Sequence, residues 1–245
     1  MAEKKRPSVR QATIIDDPLT AEIRYMVRDF QSKLSEHGRE LIGDRLKLFN
    51  AAVGAVYATC TLESFSRSIG DSHDDKRERA WQAIGRFVLR IMQNRRTEPI
   101  TLMGPPGIGK DHLLVAAARL LVATGATLAW RRGWDLFKER REGFQFNREE
   151  EDVINRATRP DVLYLSDPAR EEGRLASNQG DYLFAILDRR TRAGNRPTWM
   201  TLNAADANEA ASMIGTAAFE RIINGAVYLK CNWPTYRQPA EKHEC

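Results

Sequence analysis

Gly104-Pro105-Pro106-Gly107-Ile108-Gly109-Lys110-Asp111 has the spacing that phosphate chemistry asks for. It fits G-x-x-x-x-G-K-[ST] at every position but the last. Glycines let the backbone curl until its N–H groups converge on phosphate oxygens, and a following helix adds positive potential there. Lys110 can reach the β- and γ-phosphates. The expected ligand is ATP with Mg²⁺, contacted by Gly104 through His112. Read more blandly, these residues form a Gly/Pro-rich turn with a solvated lysine. A strand before the loop and a helix after it favour the phosphate reading. Asp111 departs from the pattern. It puts a carboxylate where a metal-binding hydroxyl belongs, and a carboxylate repels triphosphate unless a cation lies between them.

Such a cradle needs a second acidic site at the end of a buried strand. Asp161-Val-Leu-Tyr-Leu-Ser-Asp167 supplies it. Counting from Val162 places Ser166 at the metal position and Asp167 at the position that polarises an attacking water. Counting back from Asp167 makes that residue the metal ligand, followed by Pro168 with no base. The first count is preferred because Ser166 then complements Asp111: the P-loop gives the carboxylate and the strand gives the hydroxyl. A cap after the strand is the plainer role for Asp167. Asn203 ends another strand, Pro197-Thr-Trp-Met-Thr-Leu-Asn203, where an amide can orient water or cap a helix starting near Ala205.

The elements that must position these residues are legible from pattern. Apolar strands are expected at 99–103, 126–130, 161–165, 197–202 and 226–231, with helices between them. Strands separated by helices imply a parallel sheet with crossover connections, an α/β fold. The helix over 180–192 closes on Arg189, Arg190, Arg192 and Gly194, which suits the helix dipole and a glycine stop. Upstream, Asp17-Pro18 reads as a helix start, and Gly38 as its stop. A second helix is expected over 39–58. Residues 66–77 read as a polar linker, and residues 1–15 as a basic polar leader. The resulting division is a helical N-terminal region over 1–60, a linker over 61–77 and the main domain over 78–245. The N-terminal apolar stripes either pack on the main domain or offer a surface to a partner.

A 245-residue chain, 42% hydrophobic, is ample for one α/β domain and a small appendage. Its net charge of +5 fits a nucleic-acid partner but is a weak signal. Cys60, Cys231 and Cys245 lack metal-ligand spacing, which agrees with a reducing, cytoplasmic setting. No apolar stretch follows the N-terminal charges as in a signal peptide, and no run approaches the ~20 apolar residues that cross a bilayer, so no membrane partner is expected.

With these residues in place, the chain resembles the DnaC-type bacterial helicase loaders, within the DnaC/IstB group of AAA+ ATPases. The resemblance spans about residues 60 to 237. It is carried by TLESF at 61–65, GPPGIGKDHL at 104–113, DVLYLSD at 161–167, TLN at 201–203 and NWPTYR at 232–237. It implies an AAA+ P-loop domain built on a central parallel sheet with a small helical N-terminal region. It also implies self-association into an open ring or spiral with ATP between subunits. Arg221, in AFERII, matches the arginine that reaches a neighbour's γ-phosphate; read alone, it is a helix arginine facing Glu220 or solvent. Arg237 matches a second phosphate sensor. The N-terminal helices would grip the replicative helicase. Residues 134–157 match an insert used for assembly and single-stranded DNA, where Phe144 and Phe146 beside Lys138, Arg140, Arg141 and Arg148 offer stacking and charge. Either phenylalanine is as readily core. An IstB-like transposase helper, or an ATP-binding adaptor without turnover, are the alternatives.

Overall fold

A computed structural model describes residues 17–69, 74–94, 96–145, 150–169 and 173–235. The basic leader, Phe146, Arg148 and Arg237 lie outside the described residues.

Five strands make one parallel sheet: β1 (Ile100–Met103), β2 (Leu128–Arg132), β3 (Val162–Ser166), β4 (Thr198–Leu202) and β5 (Val227–Lys230), in the order β2-β3-β4-β1-β5. The alternation of side chains sorts each strand between two cores. Ile100, Leu102, Val162, Tyr164 and Trp199 face one side, while Met103, Leu163, Leu165, Met200 and Leu202 face the other. Burial on both faces explains why these strands read as continuous apolar runs. Met103 pairs with Leu202 and Ser166 with Thr201, so β1, β4 and β3 end side by side. Crevices outside the carboxyl ends of parallel strands are where open α/β sheets hold ligands.

On the first face lies α6 (Lys110–Ala123), whose residues Leu113 through Ala118 are all buried. A helix apolar all round needs cover on every side. That cover comes from α1 (Pro18–Ser32), α2 (Glu36–Val53), α4 (Leu62–Ile69) and α5 (Asp75–Asn94), and Ile23, Phe49, Val53 and Phe65 share one core with α6. A short α3 (Ala55–Ala58) follows the break at Gly54. Asp17 caps α1 through the Thr20 N–H at 3.0 Å, as expected. Gly38 does not stop that helix. Ser35 caps α2 by accepting the Gly38 N–H at 3.1 Å, which places Gly38 in the first turn of the next helix. Part of the stretch read as a linker is helical, since α4 runs to Ile69 and α5 begins at Asp75.

The other face carries α7 (Gly133–Gln145), α8 (Glu150–Thr158), α9 (Ser177–Arg192), α10 (Ala207–Ile214) and α11 (Thr216–Ile223). Arg190 on α9 is 1% exposed and donates to the carbonyls of Ala157, Thr158, Pro160, Asp161 and Pro197. A buried guanidinium is tolerated when most of its donors are satisfied; Nη1 and Nη2 make all of these bonds, and Nε has no partner among the described residues. Here those bonds fix the starts of β3 and β4, and so the points where Asp167 and Asn203 leave the sheet.

Candidate nucleotide site

The loop between β1 and α6 bends at Gly104, Gly107 and Gly109, with φ of 151°, 78° and 94°. Pro105 and Pro106 bring no N–H to it. Lys110 is 5% exposed. Its Nζ donates to the Gly104 and Pro105 carbonyls at 2.7 Å each and to Asn203 Oδ1 at 2.8 Å. Burial pulls this ammonium below its ordinary range, while the charges of Asp111, Cys231 and Asp167 act in the opposite sense. The lysine therefore lies within the loop, not in solvent.

Asn203 joins the loop to β3. Its Nδ2 donates to Asp167 Oδ2, and its backbone N–H to Asp167 Oδ1 at 3.4 Å. A flipped amide would aim NH2 at the ammonium and oxygen at the carboxylate, so the two partners fix its orientation. Asp167 has φ of 45°, and no other described non-glycine residue has positive φ. Aspartate tolerates this conformation better than most residues, and its presence at a strand end is a reason to look for function there. Lys110, Asn203 and Asp167 thus form one chain across the exits of β1, β4 and β3.

Asp111 has other partners than expected. Its Oδ1 accepts from Tyr164 Oη at 2.7 Å and Thr201 Oγ1 at 2.8 Å, and its Oδ2 from Tyr57 Oη at 3.4 Å. Burial, with the Asp111 charge next, raises the Tyr164 phenol well above its ordinary range, so it stays a donor. No hydrogen bond joins Asp111 to Ser166 among the described residues. The reason is the strand pleat: Tyr164 and Ser166 share a face, and the longer tyrosine reaches Asp111 first. The donor set still suits a hard cation. Asp111, Ser166 and Asp167 line one cavity of about 1320 Å³ with Lys110 and Asn203. Mg²⁺ takes oxygen ligands, commonly one or two protein groups plus phosphate oxygens and water. Among the described residues no group of three or more His, Cys, Asp or Glu side chains could hold a metal alone.

The remaining predicted residues are dispersed. His112 turns toward α4, where Nε2 lies 2.8 Å from Ser64 Oγ and 3.1 Å from the Thr61 carbonyl, and its ring meets Phe65 edge-on. Arg221 pairs with Asp188 at 3.0 Å, not with Glu220, and its guanidinium lies over Phe184. Arg140 donates to the Asn178 carbonyl at 2.9 Å and stacks on Tyr182. Arg141 lies 4.4 Å from the ring centre of Trp134, which is 41% exposed. Both residues line the cavity. Phe144 belongs to α7. Tyr57, Trp134, Tyr164 and Thr201 were not foreseen as site residues.

No family model matches the chain. The crystal structure of the DnaC helicase loader superposes with a TM-score of 0.61 at 20% identity, covering 72% of this chain and 99% of that one. DnaI matches with a TM-score of 0.55 at 25% identity, over 73% of this chain and 91% of its own. An ATP-binding protein of insertion sequence IS5376 from Geobacillus stearothermophilus is 25% identical over 181 residues, 72% of this chain and 67% of that protein. The fold is the AAA+ P-loop fold, as expected, and these neighbours agree with the DnaC/IstB resemblance. Among the described residues no helix is long and apolar enough to cross a membrane.

Proposed function

We propose that this chain binds ATP with Mg²⁺ and acts as an ATP-dependent loader that delivers a ring-shaped replicative helicase onto single-stranded DNA. The observation that carries the nucleotide part is the Lys110–Asn203–Asp167 chain at the mouth of a glycine-bent loop. Lys110 would exchange carbonyl partners for phosphate oxygens. Asn203 would place a water, and Asp167 would accept its proton as it attacks the γ-phosphate. Bound Mg²⁺ would neutralise charge on the phosphates, held through Asp111 and Ser166. Loading in particular is favoured by the fold shared with the DnaC helicase loader and by NWPTYR at 232–237.

Arg221 would act in a neighbouring subunit's site within an open ring or spiral. For single-stranded DNA, Arg141 over the exposed Trp134 offers a cation and a stacking surface together. Helices α1 and α2 would contact the helicase: Tyr25, Leu41 and Leu48 stay exposed there while the opposite faces are buried.

The insertion-sequence relative favours a second reading, an ATPase that assists a transposase. Loading of a purified replicative helicase onto circular single-stranded DNA, followed by co-sedimentation with and without ATP, separates the two. ATP-dependent transfer supports the loader. Failure to transfer, with stimulation of a transposase instead, supports the alternative.

A further inference from the structure

The segment after β5 packs against the phosphate loop so closely that the loop must begin with glycine. A Cβ on Gly104 would lie 1.9 Å from the Cys231 carbonyl oxygen, and the Cys231 N–H donates to the Met103 carbonyl at 2.7 Å. Two side chains then reach onto the loop. Trp233, 4% exposed, donates Nε1–H to the Ile108 carbonyl at 2.7 Å, and Thr235 donates its hydroxyl to the Gly107 carbonyl at 3.1 Å.

Which carbonyls are held matters. In a trans peptide the C=O and the N–H of the next residue point in opposite directions within one rigid plane, and no described peptide bond is cis. Lys110 takes the carbonyls of Gly104 and Pro105, whose planes continue into proline nitrogens with no hydrogen to offer. Trp233 and Thr235 instead take two carbonyls, of Ile108 and Gly107, whose planes do carry a donor. Holding the Gly107 carbonyl aims the Ile108 N–H, and holding the Ile108 carbonyl aims the Gly109 N–H. Among the described residues neither N–H donates to a backbone carbonyl. Both point away from 233–235.

We propose that segment 231–235 is a brace that positions the anion-binding N–H groups of the loop, with Trp233 and Thr235 as the positioning residues. The inference rests on the nucleotide reading above and adds a dependence that reading does not require. The chain just before Arg237 sets how well the phosphates are held, which links the C-terminal end of the domain to the cradle.

The double variant Trp233→Phe with Thr235→Val keeps an aromatic ring beside Phe65 and a β-branched side chain, and removes both donors. Calorimetric titration with ATP, ADP and AMP, together with thermal melts, tests it. The expected result is ATP and ADP affinities about tenfold weaker, the size of one or two orienting hydrogen bonds, with AMP much less affected and the melting temperature close to wild type. ATP and ADP bound as tightly as by wild type would overturn the brace while leaving the nucleotide reading intact. So would an equal loss for all three nucleotides with a lowered melting temperature, which marks a packing residue only. Wild-type protein with no affinity for ATP would overturn the nucleotide reading and the brace with it.

Discussion

At Asp111 a carboxylate occupies the place of a metal-binding hydroxyl, and three hydroxyls converge on it from Tyr164, Thr201 and Tyr57. With Mg²⁺ bound, Asp111 and Ser166 would communicate through the cation and not directly. A double-mutant cycle isolates that. Asp111→Thr removes the carboxylate and strands the Tyr164 hydroxyl, at a cost of about 1–3 kcal/mol in stability. Ser166→Asp puts two carboxylates beside the triphosphate, a like-charge cost. Together they restore the ordinary inventory and at least wild-type Mg²⁺-dependent ATPase activity. A double variant no more active than the worse single contradicts the shared-metal reading. Lys110, Asn203 and Asp167 were legible because phosphate chemistry ties them to a motif and to strand ends. Tyr57, Tyr164, Thr201 and Trp233 were not, because their partners lie 54, 53, 90 and 125 residues away and no spacing rule announces such contacts.

The elements differ in the same way. All five strands were read within two residues because each is a short, nearly continuous apolar run between turn residues. β2 lies furthest from its expected bounds: it begins at Leu128, after Asp161 Oδ2 accepts from the Thr127 N–H and hydroxyl at 2.8 and 2.7 Å. Helix α4 was read partly as linker because its second half is polar. Its position is set from outside, by His112 on α6 and by Trp81, whose Nε1 donates to the Leu62 carbonyl at 2.9 Å. The histidine gives that contact a pH dependence. Burial holds its imidazole below the ordinary value of 6.5; the bond to the Thr61 carbonyl opposes this, and Arg77 and Arg119 add to the lowering. As pH falls through and below 6.5, the unfolded chain takes up a proton that the folded chain resists, so stability falls with falling pH and is fully present above that range. Denaturant unfolding at pH 7.5 and 5.5, values chosen to bracket the titration, should show a smaller acid loss for His112→Gln than for wild type. Equal losses would remove His112 from the account.

Across the whole molecule, the N-terminal helices, the sheet and the loop share one core, so a partner docked on α1 and α2, as proposed, would bear on the helix that begins at Lys110. Assembly would draw on Arg221, which Asp188 holds in place while Asp188 also pairs with Arg192 at 2.8 Å. Arg221→Ala should leave ATP binding by the isolated chain unchanged and weaken ATP-linked oligomerisation, measured by light scattering with and without ATP. Loss of ATP binding by the isolated chain would show that the arginine serves its own site and not a neighbour's. Binding of ATP through the loop from Gly104 to Asp111 is decided by calorimetric titration of ATP into wild-type protein and Lys110→Ala. Wild type should bind with measurable affinity and the variant not at all, with the variant still folded by circular dichroism. Unchanged affinity in Lys110→Ala would contradict it.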